Sequence, residues 1–347
     1  SVFASAANTD RDSYYGPGND PLKAYGKTTD LTAMGGAQYV HTFDKCFFMP
    51  SDLTAGLEYN RDRLKDNMWG YNRHTDQTVN IYSAFLQNEW KNDRWGILIG
   101  GRLDKHNMVD NVIFSPRANL RFNPTRNINL RLSYSSGFRA PQAFDEDMHI
   151  ENVGGTVAMI ERAKDLKEEK SQSFSVSADM YHRFGAFQTN LLIEGFYTRL
   201  TDVFVLGEPY DRGDGILVKT RSNGPGAKVM GLTLEGKVAY LSILQIQAGL
   251  TLQRSRYDEP HKWHDDAPAE KKIFRTPDTY GYFTATYTPI KPLSIALSGT
   301  YTGRMLVQRM DITAENAELG EMPERKAEAI RTPRFFDLGV KLAYDFK

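Results

Sequence analysis

The 347 residues carry 43 Lys+Arg against 43 Asp+Glu, so no net charge directs the chain toward nucleic acid or an acidic surface. A mean hydropathy of -0.51 and the lack of any apolar run near the ~20 residues of a spanning helix exclude a helical membrane protein. One cysteine, Cys46, excludes an internal disulfide framework and any cysteine-based metal site. A membrane β-barrel remains compatible with such low hydropathy, because only alternate strand residues face lipid while the others line a polar lumen. Aromatic residues at 12% suit the two interfacial girdles of such a wall.

In chain order, strands are expected near 36–44, 52–63, 78–91, 95–106, 113–122, 128–137, 170–183, 187–203, 229–240, 242–256, 278–288, 293–303 and 333–346, thirteen in all. The period-two signal is plain in Ala118, Leu120 and Phe122, which alternate with Arg117, Asn119 and Arg121. Beyond the turn-forming Asn123-Pro124-Thr125-Arg126-Asn127, Ile128, Leu130, Leu132 and Tyr134 alternate with Asn129, Arg131, Ser133 and Ser135. Leu244 to Leu252 and Phe336 to Phe346 repeat the pattern. Strands of about ten residues match the tilted length that crosses a bilayer, whereas soluble strands average nearer five or six.

Connector lengths alternate as well. Tight turns fall at Cys46–Ser51, Asn92–Arg94, Asn123–Asn127, Phe184–Ala186, Leu241–Ser242 and Pro289–Pro292. Long polar stretches fall at Leu64–Gln77, Phe138–Glu169, Phe204–Lys228, Tyr257–Thr276 and Gly303–Thr332, and the charged segment Met159–Lys170 belongs to a loop. Short turns on one side and long loops on the other are the pattern of outer-membrane barrels. Trp90 and Trp95 flank one short turn, as an interfacial girdle requires.

Gly101-Arg102-Leu103-Asp104-Lys105-His106, Ser115-Pro116-Arg117 and Leu130-Arg131-Leu132-Ser133-Tyr134 resemble the middle barrel of TonB-dependent outer-membrane receptors. The likeness sharpens at Ser136-Gly137-Phe138-Arg139-Ala140-Pro141 with Asp145-Glu146. It continues through Leu166 to Ser173, Gly195 to Asp202, Arg275-Thr276-Pro277 and Gly299-Thr300-Tyr301-Thr302-Gly303. One such motif is weak, but the ordered series, from about Tyr82 to Phe346, is specific.

The resemblance implies an all-β, antiparallel transmembrane barrel of about 22 strands in the bacterial outer membrane, with a plug in its lumen and a segment that engages TonB. Residues 1–347 are then one partial barrel domain of about thirteen strands, beginning in an extracellular loop and ending at a periplasmic turn. The plug and the TonB-binding segment are expected outside this stretch, as are the last strands, so the sheet should show two unclosed edges. The implied partners are outer-membrane lipid, the TonB system, the plug and a small-molecule nutrient, with no nucleic acid. A ferric siderophore or cobalamin is the first substrate class to consider. The alternatives are a passive porin or adhesin without a plug and, more remotely, an outer-membrane enzyme.

No catalytic, cofactor-binding or metal-ligating residue is named by the sequence. Arg117, Arg121, Arg131 and Arg139 fall on or near the polar face of adjacent strands, where they could meet the plug or an anionic ligand. A lumen ladder with carboxylates such as Asp104 and Glu89 accounts for them more simply. Tyr257, His261, Trp263, His264 and Asp265 form the loop richest in chemistry: the rings can stack on a ligand, and His with carboxylate can hold a metal. A solvated loop is the simpler account of both this run and Asp145-Glu146-Asp147-Met148-His149. The identity of any ligand is not written in the strands.

Overall fold

Alternation on a pleated backbone puts every second side chain on the same face, so an apolar/polar repeat specifies both strand and register. The computed structural model describes residues 1–14, 25–69, 73–143, 151–153, 156–213, 217–264, 266–312 and 325–346. Its strands are β1 (Val2–Tyr14), β2 (Tyr25–Cys46), β3 (Met49–Met68), β4 (Arg73–Lys91), β5 (Trp95–His106), β6 (Ile113–Thr125) and β7 (Ile128–Arg139). Then come β8 (Glu151–Val153), β9 (Thr156–Arg162), β10 (Glu169–Phe184), β11 (Phe187–Thr201), β12 (Phe204–Asp211), β13 (Leu217–Asn223) and β14 (Ala227–Tyr240). The last are β15 (Leu244–His261), β16 (Glu270–Lys272), β17 (Thr279–Ile290), β18 (Leu293–Thr302), β19 (Leu306–Ile312), β20 (Arg325–Arg331) and β21 (Phe335–Tyr344).

The wall is one antiparallel meander in the order β1-β2-β3-β4-β5-β6-β7-β10-β11-β14-β15-β17-β18-β21, with β16 added beside β15. No pairing joins β1 to β21 among the described residues, so the barrel is not closed, as the sequence leads one to expect. The meander has one strand more than the thirteen expected. Residues 2–14 form β1 rather than an extracellular loop, paired from Val2↔Ala37 to Tyr14↔Tyr25. The stretch Leu64–Gln77 is also mostly strand, since β3 and β4 remain paired up to Met68↔Arg73.

All six tight turns fall where the sequence puts them, at one end of the wall. The other end carries the long connectors, whose described residues include strands. Met159 and its neighbours form β9, which pairs in parallel with β13 from Leu217↔Ala158 to Arg221↔Arg162. The result is a four-stranded sheet, β12-β13-β9-β8, woven from two separate connectors, while β19 and β20 make a hairpin of their own.

The faces sort as the alternation requires. Leu120↔Leu132↔Val176↔Gly195↔Leu232↔Leu252 runs across six strands as one row of the apolar face. Nothing among the described residues covers this face: Leu132 is 52% exposed, Leu250 45%, Val340 72% and Leu342 69%. A soluble sandwich would bury such residues under a second sheet, so the exposed apolar band is the surface that lipid covers. Arg131, Gln245, Gln247 and Lys341 alternate with these residues and take the opposite, polar face. At the short-turn end an aromatic belt closes the band, with Phe48 stacked on Trp90 at 5.7 Å, Trp95 on Phe122 at 4.3 Å, and Phe187 against Tyr240 at 4.8 Å. The Trp90 indole donates to the Cys46 carbonyl at 3.0 Å, satisfying its one polar atom there.

Candidate functional site

Among the described residues, those of the connectors and the loop ends of the strands line two cavities. The first, of 620 Å³, has a basic wall: Arg73 and His74 from the start of β4, Arg162 from β9, Lys164 beyond it and Arg212 after β12, with Glu161 among them. Its shape is held by bonds to neutral acceptors. Gln77 Oε1 accepts from Arg162 Nη1 at 2.7 Å and from the Ala143 amide at 2.9 Å, and Arg162 also donates to the Pro141 carbonyl at 2.9 Å. Below it Asp66, almost fully buried, receives Arg73 Nη2 at 2.7 Å and Thr28 Oγ1 at 2.7 Å, which fixes the tip of the β3–β4 hairpin. Arg212 reaches Glu161 at 3.7 Å. Five of the six ionisable groups on the wall can carry positive charge, and two of them, Arg73 and Arg212, are paired with Asp66 and Glu161.

The second cavity, of 380 Å³, is largely aromatic and apolar, lined by Phe204, Leu206, Tyr257, His261, Trp263 and Phe274 among others. The fold therefore brings together Tyr257, His261 and Trp263 from the run read as rich in chemistry, and half-buries them. Tyr257 and His261 lie with ring centroids 5.6 Å apart, and the Trp263 indole N–H is buried with no hydrogen-bond partner among the described residues. Burial holds the His261 pKa below its ordinary 6.5, and burial together with the charge of Glu169 pushes the Tyr257 phenol up. His264 sits beside the cavity, 3.7 Å from Asp266. Asp265 lies outside the described residues, as do residues 145–149. Among the described residues, no three His, Cys, Asp or Glu side chains converge as metal ligands would.

The four arginines singled out on the polar face do not form one cluster. Arg121 and Arg131 face each other across β6 and β7 near the short turns, and Arg121 donates to the Asn92 carbonyl at 3.2 Å. Arg117 donates to the Gln87 side chain. Arg139 stands at the loop end with its guanidinium 5.5 Å from the Phe204 ring, at the edge of the aromatic cavity. The proposed carboxylate partner Asp104 is instead taken by Arg102 Nε at 2.8 Å and Ser83 Oγ at 2.6 Å, while Arg102 Nη1 reaches Glu58 at 2.6 Å. The sequence reading missed Arg102 as the ladder's central cation. Its parity with Asp104 on one strand was the available signal.

An antiparallel wall with an exposed apolar band, an aromatic belt and a polar inner face defines the wall of an outer-membrane-type β-barrel. The family model described as TonB dependent receptor-like, beta-barrel matches residues 2–347, and the chain belongs to that family. The family is one of transport receptors, not enzymes, and its barrels are outer-membrane proteins.

Among solved structures, the siderophore receptor PirA from Acinetobacter baumannii superposes with a TM-score of 0.67 at 16% identity, covering 100% of this chain and 53% of its own. A ferric enterobactin receptor (PfeA) variant from Pseudomonas aeruginosa in complex with enterobactin gives 0.69 at 17%, covering 100% and 52%. The FrpB iron transporter from Neisseria meningitidis gives 0.66 at 14%, covering 99% and 53%. The chain thus spans about half the length of the solved receptors it matches. No curated protein matches it in sequence.

Proposed function

We propose that this chain is part of a bacterial outer-membrane receptor that takes up an anionic ferric siderophore, with TonB supplying the energy. The observation that carries the reading is the 620 Å³ cavity with Arg73, His74, Arg162, Lys164 and Arg212 on its wall. A ferric chelate with excess negative charge is drawn to such a wall before any close contact forms, because the cavity focuses the field of its cations. The aromatic cavity at Tyr257 and Trp263 offers a ring-stacking surface for the chelator's organic part. The resemblance to siderophore and iron receptors supports this class over cobalamin, which carries no comparable negative charge. In the full receptor, the plug occupies the lumen against the polar face and TonB acts on the plug.

The test is uptake of radioactive iron presented as ferric enterobactin, a triply charged catecholate, by cells whose only iron receptor is the full-length protein. Uptake is expected, with loss on deletion of TonB and a strong reduction in the Arg162→Gln, Lys164→Gln double variant. Uptake that persists without TonB would point to a passive pore. Uptake of cyanocobalamin but of no ferric siderophore would overturn the substrate class.

A further inference from the structure

On the lipid side of the wall, the side chains of β11, β14 and β15 change character abruptly toward the loop end. Outward residues on β14 run Tyr240, Val238, Leu234, Leu232 and Met230, and then Lys228. On β15 they run Leu244, Ile246, Leu250 and Leu252, then Arg254 and Arg256, and on β11 Tyr197 is followed by Arg199. Cross-strand pairing sets these cations side by side: Arg199 opposite Lys228, and Lys228 opposite Arg256, with Arg254 in the next outward row beside Met230. Asp258 lies 3.3 Å from Lys228 and 3.9 Å from Arg199, and Asp278, on the furrow beside Arg254, is taken by Lys272 at 2.5 Å, the residue opposite Arg256. Arg254 and Arg256 are exposed and make no ion pair or side-chain hydrogen bond among the described residues.

Directly below this patch lies a 720 Å³ furrow bordered by Leu132, Phe174, Val176, Tyr197, Leu232 and Leu252. Its floor is Gly195, set between Val176 and Leu232 in the same row. A Cβ at Gly195 would touch only Val176, at an ordinary 3.6 Å, so no neighbour in the chain demands a glycine there. The missing side chain leaves a slot in an otherwise continuous apolar band. Tyr134 and Phe174, 4.7 Å apart, form an aromatic shelf at the height where the slot meets the cations.

We propose that this face binds a phosphate-bearing lipid of the surrounding leaflet, its phosphates on Arg199, Lys228, Arg254 and Arg256 and an acyl chain in the furrow over Gly195. Guanidinium groups pair with phosphate through parallel N–H bonds, and the patch sits where a headgroup meets acyl chains. These cations stand on the apolar, outward face, and none of them lines either of the two connector cavities. The inference rests on the outward face of the barrel and not on what the receptor imports, so it stands or falls separately from the siderophore reading.

Native mass spectrometry of the full-length receptor, exchanged from detergent into micelles doped with diphosphoryl lipid A or its dephosphorylated counterpart, tests this. The wild type should retain the phosphorylated lipid and not the other. Arg254→Gln with Arg256→Gln should weaken retention on the order of thirtyfold, the value expected for two interfacial cations. Gly195→Leu should weaken it by filling the furrow, while Arg131→Gln on the lumen side should not. Folding of each variant is verified by heat-modifiable gel mobility, and the exposed arginine pair keeps the test informative if Gly195→Leu does not insert. Equal retention of the two lipids, or retention unchanged in the double arginine variant, would refute the site.

Discussion

The Tyr282 hydroxyl donates to the Glu235 carboxylate at 2.6 Å across the full width of β15, and Gly249 is what lets it pass. Glu235, Gly249 and Tyr282 occupy one row of the polar face, and a Cβ at Gly249 would lie 2.6 Å from the tyrosine ring. Gln247 completes the arrangement by donating to both oxygens, at 2.9 Å to Glu235 and 2.6 Å to Tyr282. Three strands are thus tied through side chains as well as through their backbones.

Gly249→Val should therefore displace the ring and break this set of bonds. Overpacking at such a contact costs about 1–3 kcal/mol. Tyr282→Phe removes the hydroxyl without moving the ring and should cost roughly 1 kcal/mol. Urea unfolding of the full-length receptor in lipid vesicles measures both, and a neutral Gly249→Val would show that the ring has another place to go.

The two faces predict opposite tolerances at neighbouring positions. Leu132→Arg, one row further into the apolar band than the belt residue Phe122, puts a cation in lipid and should cost up to roughly 2–4 kcal/mol toward the midplane, whereas Arg131→Leu changes only a lumen contact and should cost far less. The same unfolding assay compares them. Equal losses would mean that the faces are misassigned.

Asp66 is the buried anchor of the β3–β4 tip, with Arg73 and Thr28 as partners. Asp66→Ala removes the carboxylate that Arg73 and Thr28 share, and removing one member of a buried pair costs about 3–5 kcal/mol. The loss should be local. Hydrogen exchange is expected to accelerate at 64–68 and 73–77 and to leave the turn-side half of the same strands protected, whereas uniform acceleration would contradict a local anchor.

His261 gives the aromatic cavity a pH dependence of definite sign. Burial lowers its pKa, so the folded form binds fewer protons than the unfolded one. Its stabilising contribution is complete above the ordinary value of 6.5 and is lost as pH falls from there through the lowered folded pKa. Hydrogen-exchange protection at 257–263 should drop over that acidic window in the wild type and stay flat in His261→Asn. A drop on raising the pH instead would reverse the assignment.

Much of the wall was legible in the sequence because its determinants are local. Residues such as Leu130 and Arg131 announce their faces by period two, and Asn123–Asn127 announces its turn by composition, whatever surrounds them. β1 was not legible: Ala-Asn-Thr-Asp-Arg-Asp has too few large apolar residues to show alternation, and it becomes strand by pairing with β2. The strand extensions at Met68 and Arg73 rise past the apolar band, so hydrophobic period could not mark them; a buried Asp66 contact holds them instead. The candidate sites divide the same way. The aromatic and histidine content of Tyr257 to His264 could be read directly, but the cavity around it needs Phe204 and Leu206 from another connector. The basic cavity and the outward cation patch went unseen because their members come from strands and connectors far apart in the chain. Only sheet register sets Arg199 beside Lys228 and Lys228 beside Arg256, and register depends on pairing partners that no local stretch contains.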